Sequence, residues 1–147
     1  MVDETAIGTS FKPVQATVEA GRLRFFLDTI GERNPVYRDA AVAEANGFTG
    51  IPIPPTYLFC LEMMDADDPF ELLSVLDIDL RKVLHGEQAF AYHAPVVVGD
   101  RLTFTSSVKG IARKKSGSMT IIEVATKVTN QAGLHVADTV RSFVVRN

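Results

Sequence analysis

A proline-rich segment followed by an apolar run constrains the fold of this chain more than any other feature. Residues 50–55 read GIPIPP and cannot form a regular strand or helix, but proline suits the first turn of a helix that follows. The next residues, 56–64 (TYLFCLEMM), are predicted to form that helix, with apolar side chains on almost every side. Such a helix must be buried all round. In a chain of 147 residues this indicates a central helix wrapped by the remaining structure.

The second half of the chain is predicted to supply the wrapping as an antiparallel sheet. Alternating residues, such as Leu102 and Phe104 against Thr103 and Thr105, are typical of half-buried strands. Short turns separate the strands, which indicates a meander. The four predicted strands are 86–94, 101–112, 119–130 and 135–145.

The first half is predicted to add an edge strand and two helices. Pro13 favours an edge position for a strand within residues 11–18. Thr17 can cap a helix whose apolar residues follow a helical period and which Gly31 ends. A short helix over residues 39–45 follows. We therefore predict one α+β domain over residues 1–147, a curved antiparallel sheet around a long central helix.

Charge and composition exclude several classes of function. The net charge of −3 leaves no basic stripe for nucleic acid, and the cluster Arg113-Lys114-Lys115 indicates a hairpin tip or, less expectedly, a phosphate contact. Cys60 is the single cysteine, and the three histidines lack metal-ligand spacing, so neither a metal site nor a cofactor is expected. No apolar run reaches the length of a membrane span and no signal-like start is present, so a cytoplasmic location is the default expectation.

The stretch GERNPVYRD, residues 31–39, is rich in hydrogen-bonding side chains for a turn that Asn34-Pro35 already explains. One interpretation is a solvated loop. The other is an acid–base site, in which Glu32 supplies a carboxylate and Tyr37 a proton donor, since a phenol with a pKa near 10 stays protonated at neutral pH. The residues alone leave both open.

Three segments in order resemble the MaoC-like dehydratases, the hotdog-fold family of (R)-specific enoyl-thioester hydratases and 3-hydroxyacyl-thioester dehydratases, and are nearest to its N-terminal type. Residues 32–37, ERNPVY, are similar to the family's Asp-x-Asn-Pro-x-His, with Glu32 and Tyr37 in place of the aspartate and the histidine. The other two segments are IPPT at 53–56, and HGEQ at 85–88 with its following PVVVGD at 95–100.

The resemblance implies a hydro-lyase without a cofactor that acts on acyl chains bound to CoA or to an acyl carrier protein. It implies catalytic roles for Glu32, Asn34, Tyr37 and His85, with His85 as the base or a substrate contact. A structural role for His85 stays open.

Substrate binding is expected at the start of the central helix, where free backbone amides point at an anionic or polarised group. The amide of Thr56 or Tyr57 would contact the thioester oxygen, because Pro55 has no N–H. Gly86 belongs to the HGEQ segment, and Arg81 and Lys82 are candidates for phosphate contacts. The apolar side chains of the helix suit either a core or an acyl tunnel.

Two other functions remain open: a non-catalytic acyl-binding subunit that pairs with a second hotdog chain, and a hotdog thioesterase. Replacement of both residues of the family's Asp/His pair favours the first of these. Exposed strand edges invite pairing, and hotdog relatives join their sheets, so a homodimer or heterodimer is expected.

Overall fold

The computed structural model describes residues 2–147, in which five strands form one curled antiparallel sheet. The order across the sheet is β1-β3-β4-β5-β2. The strands are β1 (Val14–Thr17), β2 (Val83–Tyr92), β3 (Arg101–Lys114), β4 (Met119–Thr129) and β5 (His135–Arg146). The predicted meander is present as β3, β4 and β5. Strand β1 pairs with β3 at one edge of the sheet, and β2 pairs with β5 at the other.

The turn between β3 and β4 carries the basic cluster, as the sequence predicts. Lys115 and Ser116 adopt left-handed backbone angles, with φ of 49° and 53°, and Gly117 follows at 90°. Arg113 and Lys114 are the last residues of β3 and are exposed. The cluster is therefore a hairpin tip, at the end of the longest strand pair.

Four α-helices accompany the sheet within residues 2–147: α1 (Ala20–Thr29), α2 (Ala40–Ala45), α3 (Tyr57–Met64) and α4 (Glu71–Val75). Gly31 follows α1 with φ of 71°, the left-handed conformation that ends many helices. The prediction that Thr17 caps α1 is wrong, because Thr17 pairs with Arg101 in β1 and Glu19 occupies the cap position. Helix α4 was not predicted, because five residues are too few to show a helical period.

Helix α3 packs on the sheet and forms the centre of the core, but only one of its sides is covered. Leu58 and Leu61 are completely buried. On the opposite side Phe59 and Met63 are half-buried, and Met64 is 48% exposed. Residues 2–147 by themselves therefore do not provide the all-round burial that the sequence predicts for this helix.

A bulge near the start of β2 sets the direction of the side chains along that strand. His85 pairs with Phe143, and Gln88 pairs with Arg141, so β2 has one residue more than β5 between these pairs. Gly86 lies in the bulge, where an added Cβ would be only 2.6 Å from Ser142 Oγ. The bulge turns His85 to the inner face of the sheet, beside α3.

The two edges of the sheet differ in length and accessibility. Edge strand β1 has four residues, whereas edge strand β2 has ten. Most of β2 is exposed, including Leu84 at 57%. A long unpaired edge of this kind is a template for a further strand. Within residues 2–147, no helix combines the length and apolar character needed to cross a membrane.

Candidate active site

A cavity of about 380 Å³ opens beside the start of α3 and is the natural candidate for a substrate cleft. Its walls come from the GERNPVYRD stretch, the proline-rich segment, and the chain that leaves β2. Apolar side chains dominate it, which suits an acyl chain. The lining residues are Val36, Tyr37, Phe48, Pro52, Ile53, Pro55, Tyr92, His93, Ala94, Pro95 and Val96.

Tyr92 fixes the mouth of this cleft. Its hydroxyl donates a hydrogen bond of 2.7 Å to the carbonyl oxygen of Pro55. Burial raises the pKa of Tyr92 well above its usual value, and the neighbouring Tyr37 raises it further. Tyr92 therefore stays protonated and holds Pro55 in place. Sequence reasoning missed Tyr92, since nothing in the pattern of β2 distinguishes it from a core aromatic residue.

The two amides proposed for the thioester oxygen have different environments. The Tyr57 amide already donates to the carbonyl oxygen of Pro54 at 3.0 Å. Among residues 2–147 no acceptor lies within hydrogen-bond distance of the Thr56 amide, and Thr56 is exposed. The Tyr57 side chain is completely buried and its ring centroid lies 4.8 Å from that of Phe26, so burial raises its pKa. Thr56 thus remains the candidate donor, while Tyr57 belongs to the core.

Some polar side chains of the GERNPVYRD stretch form hydrogen bonds within the turn, and one of them lines the cleft. Glu32 Oε1 accepts a hydrogen bond of 2.7 Å from the Asn34 amide, and Asn34 Oδ1 accepts one of 3.1 Å from the Val36 amide. Arg38 Nη2 donates to the Glu32 carbonyl at 2.7 Å and closes the loop. These bonds shape the turn, whereas Tyr37 extends into the cleft. Glu32 and Asn34 are neighbours of the cleft wall and do not line the cavity.

His85 lies at the other end of β2 from the cleft. Its ring centroid is 5.5 Å from that of Phe59 and 5.9 Å from that of Phe143. From His85 to Tyr92 the strand extends about 20 Å, at roughly 3.3 Å per residue after allowance for the bulge. Within one chain, His85 therefore does not reach Tyr37.

The predicted phosphate contacts lie at the same end of β2 as His85. Arg81 Nη2 is 2.7 Å from Asp79 Oδ2, and this guanidinium lowers the pKa of Asp79 to about 2. Lys82 is exposed beside it. The predicted site residues consequently form two groups. One group lies around His85 at the start of β2 and contains Arg81, Lys82 and Gly86. The other group lies around Tyr37 and Thr56, beside the cleft.

Comparisons with known proteins agree with this fold. Residues 5–139 match the family described as FAS1-like, dehydratase domain region. The chain belongs to this family. It is 35% identical to a UPF0336 protein of Streptomyces avermitilis over 151 aligned residues, which cover 99% of this chain and 95% of the relative. A UPF0336 protein of Streptomyces coelicolor is also 35% identical, with the same coverage.

Solved structures place this FAS1-like dehydratase-region protein in the hotdog fold, which confirms the predicted architecture and the MaoC-like resemblance. A chain of the HadBC (3R-hydroxyacyl-ACP dehydratase) complex from Mycobacterium tuberculosis superposes with a TM-score of 0.82 at 18% identity, over 95% of this chain and 96% of that one. The (R)-hydratase from A. caviae involved in PHA biosynthesis gives 0.69 at 21% identity, over 96% of both chains.

The FAS1-like dehydratase-region protein also has a side-chain cluster that sequence reasoning did not find. His93 Nε2 lies 2.7 Å from one carboxylate oxygen of Asp138, and His135 Nε2 lies 2.8 Å from the other. His135 is half-buried. The sequence predicts no metal site because the three histidines lack the spacing of metal ligands within one helix or strand. In the fold, the ligand-type atoms come together from the ends of two different strands.

Proposed function

We propose that this protein is a hotdog hydro-lyase that interconverts (3R)-hydroxyacyl and enoyl thioesters. The reaction removes a proton from C2 and a hydroxyl from C3, and it releases water. It needs a base, a proton donor for the leaving hydroxyl, and a donor on the thioester oxygen. The observation that supports this proposal is the apolar cleft beside the start of α3, which is lined by the phenol of Tyr37 and by Pro55, the residue before the exposed Thr56.

The residues in and beside the cleft have separate roles in this proposal. The amide of Thr56 donates to the thioester oxygen, where negative charge develops during proton abstraction. Tyr37 protonates the leaving hydroxyl. Glu32 holds the water through its second carboxylate oxygen, since Oε1 is bound to the Asn34 amide. Asn34 supports this geometry by capping the turn that carries Tyr37.

The base is the remaining requirement, and we assign it to His85 of a partner subunit. The free edge of β2 is long, and a second β2 paired with it antiparallel would run in the opposite direction. The start of the partner's strand would then lie beside the end of this one, where the cleft opens. Arg81 and Lys82 of the partner subunit would come to the cleft together with His85 and contact the phosphates of CoA or of a carrier-protein arm.

Two observations support such a partner, one on this chain and one on proteins with the same fold. The half-exposed side of α3, formed by Phe59, Met63 and Met64, lies next to His85 and lacks a cover within residues 2–147. Two of the structures with the same fold, the HadBC complex and the ChsH1-ChsH2 complex of Mycobacterium tuberculosis, are themselves complexes.

Complementation between two variants tests the shared site. Glu32→Gln keeps the acceptor for the Asn34 amide and removes the charge, and His85→Ala removes the base. Each homodimer should lose about a hundredfold or more in kcat on a crotonyl thioester. A mixed dimer of the two variants has one intact site if each site draws on both chains, and so should recover about half of the wild-type activity. No recovery in the purified mixed dimer would refute the shared site.

The phosphate contacts have their own kinetic signature. Arg81→Ala and Lys82→Ala should raise KM for a CoA thioester more than they lower kcat, because phosphate binding is equal in the ground state and the transition state. An unchanged KM in both variants would assign these residues to the solvated surface.

A second candidate function is an acyl-binding subunit whose catalytic residues come entirely from a different hotdog chain. The observation that favours it is that the Glu32 carboxylate and the Asn34 side chain are engaged by their own turn. A wild-type protein that is inert alone, and a complex in which Glu32→Gln keeps full activity, would decide for this function.

A further inference from the structure

Three side chains of metal-ligating type converge on the outer face of the sheet, at the ends of β2 and β5. The ligand atoms of His93, His135 and Asp138 all lie within 4.8 Å of one another. The two imidazole rings have centroids 4.6 Å apart, and each imidazole contacts a different oxygen of the Asp138 carboxylate. One carboxylate is thus shared by two histidines that approach it from different strands.

A second bulge, at the start of β5, produces this arrangement. Residues three apart in a regular strand point to opposite faces of a sheet. Here Thr129 pairs with His135 and Val128 pairs with Ala137, so β5 has one extra residue at this point. The shift turns His135 and Asp138 to the same face.

The third residue is held in place by the backbone next to this bulge. The His93 amide donates 2.8 Å to the carbonyl oxygen of Val136, which lies inside the bulge, and the preceding residue Tyr92 pairs with Ala137. Strand pairing and this hydrogen bond therefore fix the backbone of all three residues. Rigid elements of this kind are the usual supports of metal sites.

We propose that His93, His135 and Asp138 form a binding site for a divalent transition-metal ion of the Zn²⁺ type. Two imidazoles and one carboxylate are ligands that Zn²⁺, Co²⁺ and Ni²⁺ accept, and three protein ligands leave a coordination position for water. In the metal-bound state each imidazole is a neutral ligand, with Nε2 on the ion and its proton on Nδ1, so a proton on Nε2 moves to Nδ1 through solvent or is released to solvent.

Metal–ligand distances near 2.0–2.2 Å in a tetrahedral site place the ligand atoms roughly 3.4 Å from one another. The two N···O contacts of 2.7 and 2.8 Å would therefore lengthen by about half an ångström, and any pair at the present limit of 4.8 Å would shorten by roughly 1.4 Å. Each of the three side chains is between 38% and 44% exposed, which leaves room for the side chains to rotate and for an ion to enter. His93 also lines the cleft, so an ion here would lie at the cleft wall.

Titration with Co²⁺ tests the site on the full chain, without a histidine tag and after removal of metals with a chelator. The wild type should bind one Co²⁺ per chain with visible absorption bands, and Zn²⁺ should displace it. Loss of an outer-shell partner alone costs about 10–100-fold in metal affinity, so Asp138→Asn and His135→Asn should each weaken binding by at least tenfold. His85→Asn is the matched control, a histidine outside the cluster, and should bind as the wild type does.

Two results would overturn the proposal. The first is a wild type that gives no Co²⁺ bands and no calorimetric signal with Zn²⁺ at millimolar metal. The second is binding that survives unchanged in both cluster variants. If the variants fail to fold, the imidazole resonances of the wild type decide: Zn²⁺ should shift those of His93 and His135 and leave that of His85 in place, and any other pattern contradicts the site.

Discussion

The buried ion pair between α3 and β5 gives the most direct test of how this fold is stabilised. Arg141 Nη2 lies 3.4 Å from Glu62 Oε1, and their side chains are only 10% and 5% exposed. The Ser106 and Thr126 hydroxyls lie 3.3 and 3.4 Å from the same carboxylate oxygen. Among the described residues Arg141 Nε has no acceptor, so the pair is not fully satisfied.

Removal of one partner should cost much more than removal of both. Arg141→Met leaves a buried carboxylate with only two hydroxyl donors, and uncompensated charges of this kind destabilise by about 3–5 kcal/mol. For a chain of this length that lowers Tm by about 10 °C. The double variant Glu62→Leu/Arg141→Met replaces the pair by apolar groups and should be close to the wild type or more stable.

Urea denaturation of the single and double variants provides the measurement. The control is Arg33→Met, which breaks an exposed ion pair with Asp28 and should leave the urea midpoint unchanged. The reasoning is refuted if Arg141→Met costs less than about 1 kcal/mol, or if the double variant is less stable than either single variant.

Three further predictions concern the bulge, the buried hydroxyls and the acid range. Gly86→Ala should destabilise by about 1–3 kcal/mol in urea denaturation, since its Cβ would lie 2.6 Å from a hydroxyl oxygen; an unchanged midpoint contradicts this. Tyr57→Phe should raise the free energy of unfolding by about 1 kcal/mol, because the buried Tyr57 hydroxyl has no hydrogen-bond partner within residues 2–147. Tyr92→Phe should lower it, because the 2.7 Å hydrogen bond to the carbonyl oxygen of Pro55 is lost. Equal effects of the two variants in urea denaturation would contradict this. The lowered pKa of Asp79, about 2, stabilises the fold above pH 4, and that contribution disappears as pH falls toward 2. In Arg81→Ala the pKa of this carboxyl should rise toward its usual value by NMR but remain below it, because the amide of residue 81 still donates to Asp79, and a pKa that stays near 2 would exclude the Arg81 side chain as the main cause.

Periodic elements could be predicted from the sequence because their signals are local. The helix before Gly31, the run that forms α3, and the alternation in β3 and β4 each follow from residues that are close in the chain. The two bulges beside His85 and His135 could not be predicted. Each depends on which residues of β5 face which residues of a neighbouring strand, and alternation alone leaves that register undefined.

The candidate site shows the same limit. The sequence singled out GERNPVYRD as a candidate site, and Tyr37 of this stretch lines a cavity. It could not show that Glu32 and Asn34 bond to amides of their own turn, since such short-range bonds and an acid–base site need the same residue types. The cluster of His93, His135 and Asp138 was missed for a different reason, because its members share a face only through the bulge in β5.

The uncovered side of α3 connects the fold with the proposed assembly. A helix with apolar residues on every side is stable in water only when all sides are covered, yet Met64 remains 48% exposed in a single chain. The same region borders the long free edge of β2, where His85 lies beside Phe59. In the proposed assembly, an antiparallel partner on that edge would cover the exposed side of the helix, and it would also bring its own His85 to the cleft. The same second chain would thus complete both the burial of the helix and the proposed site.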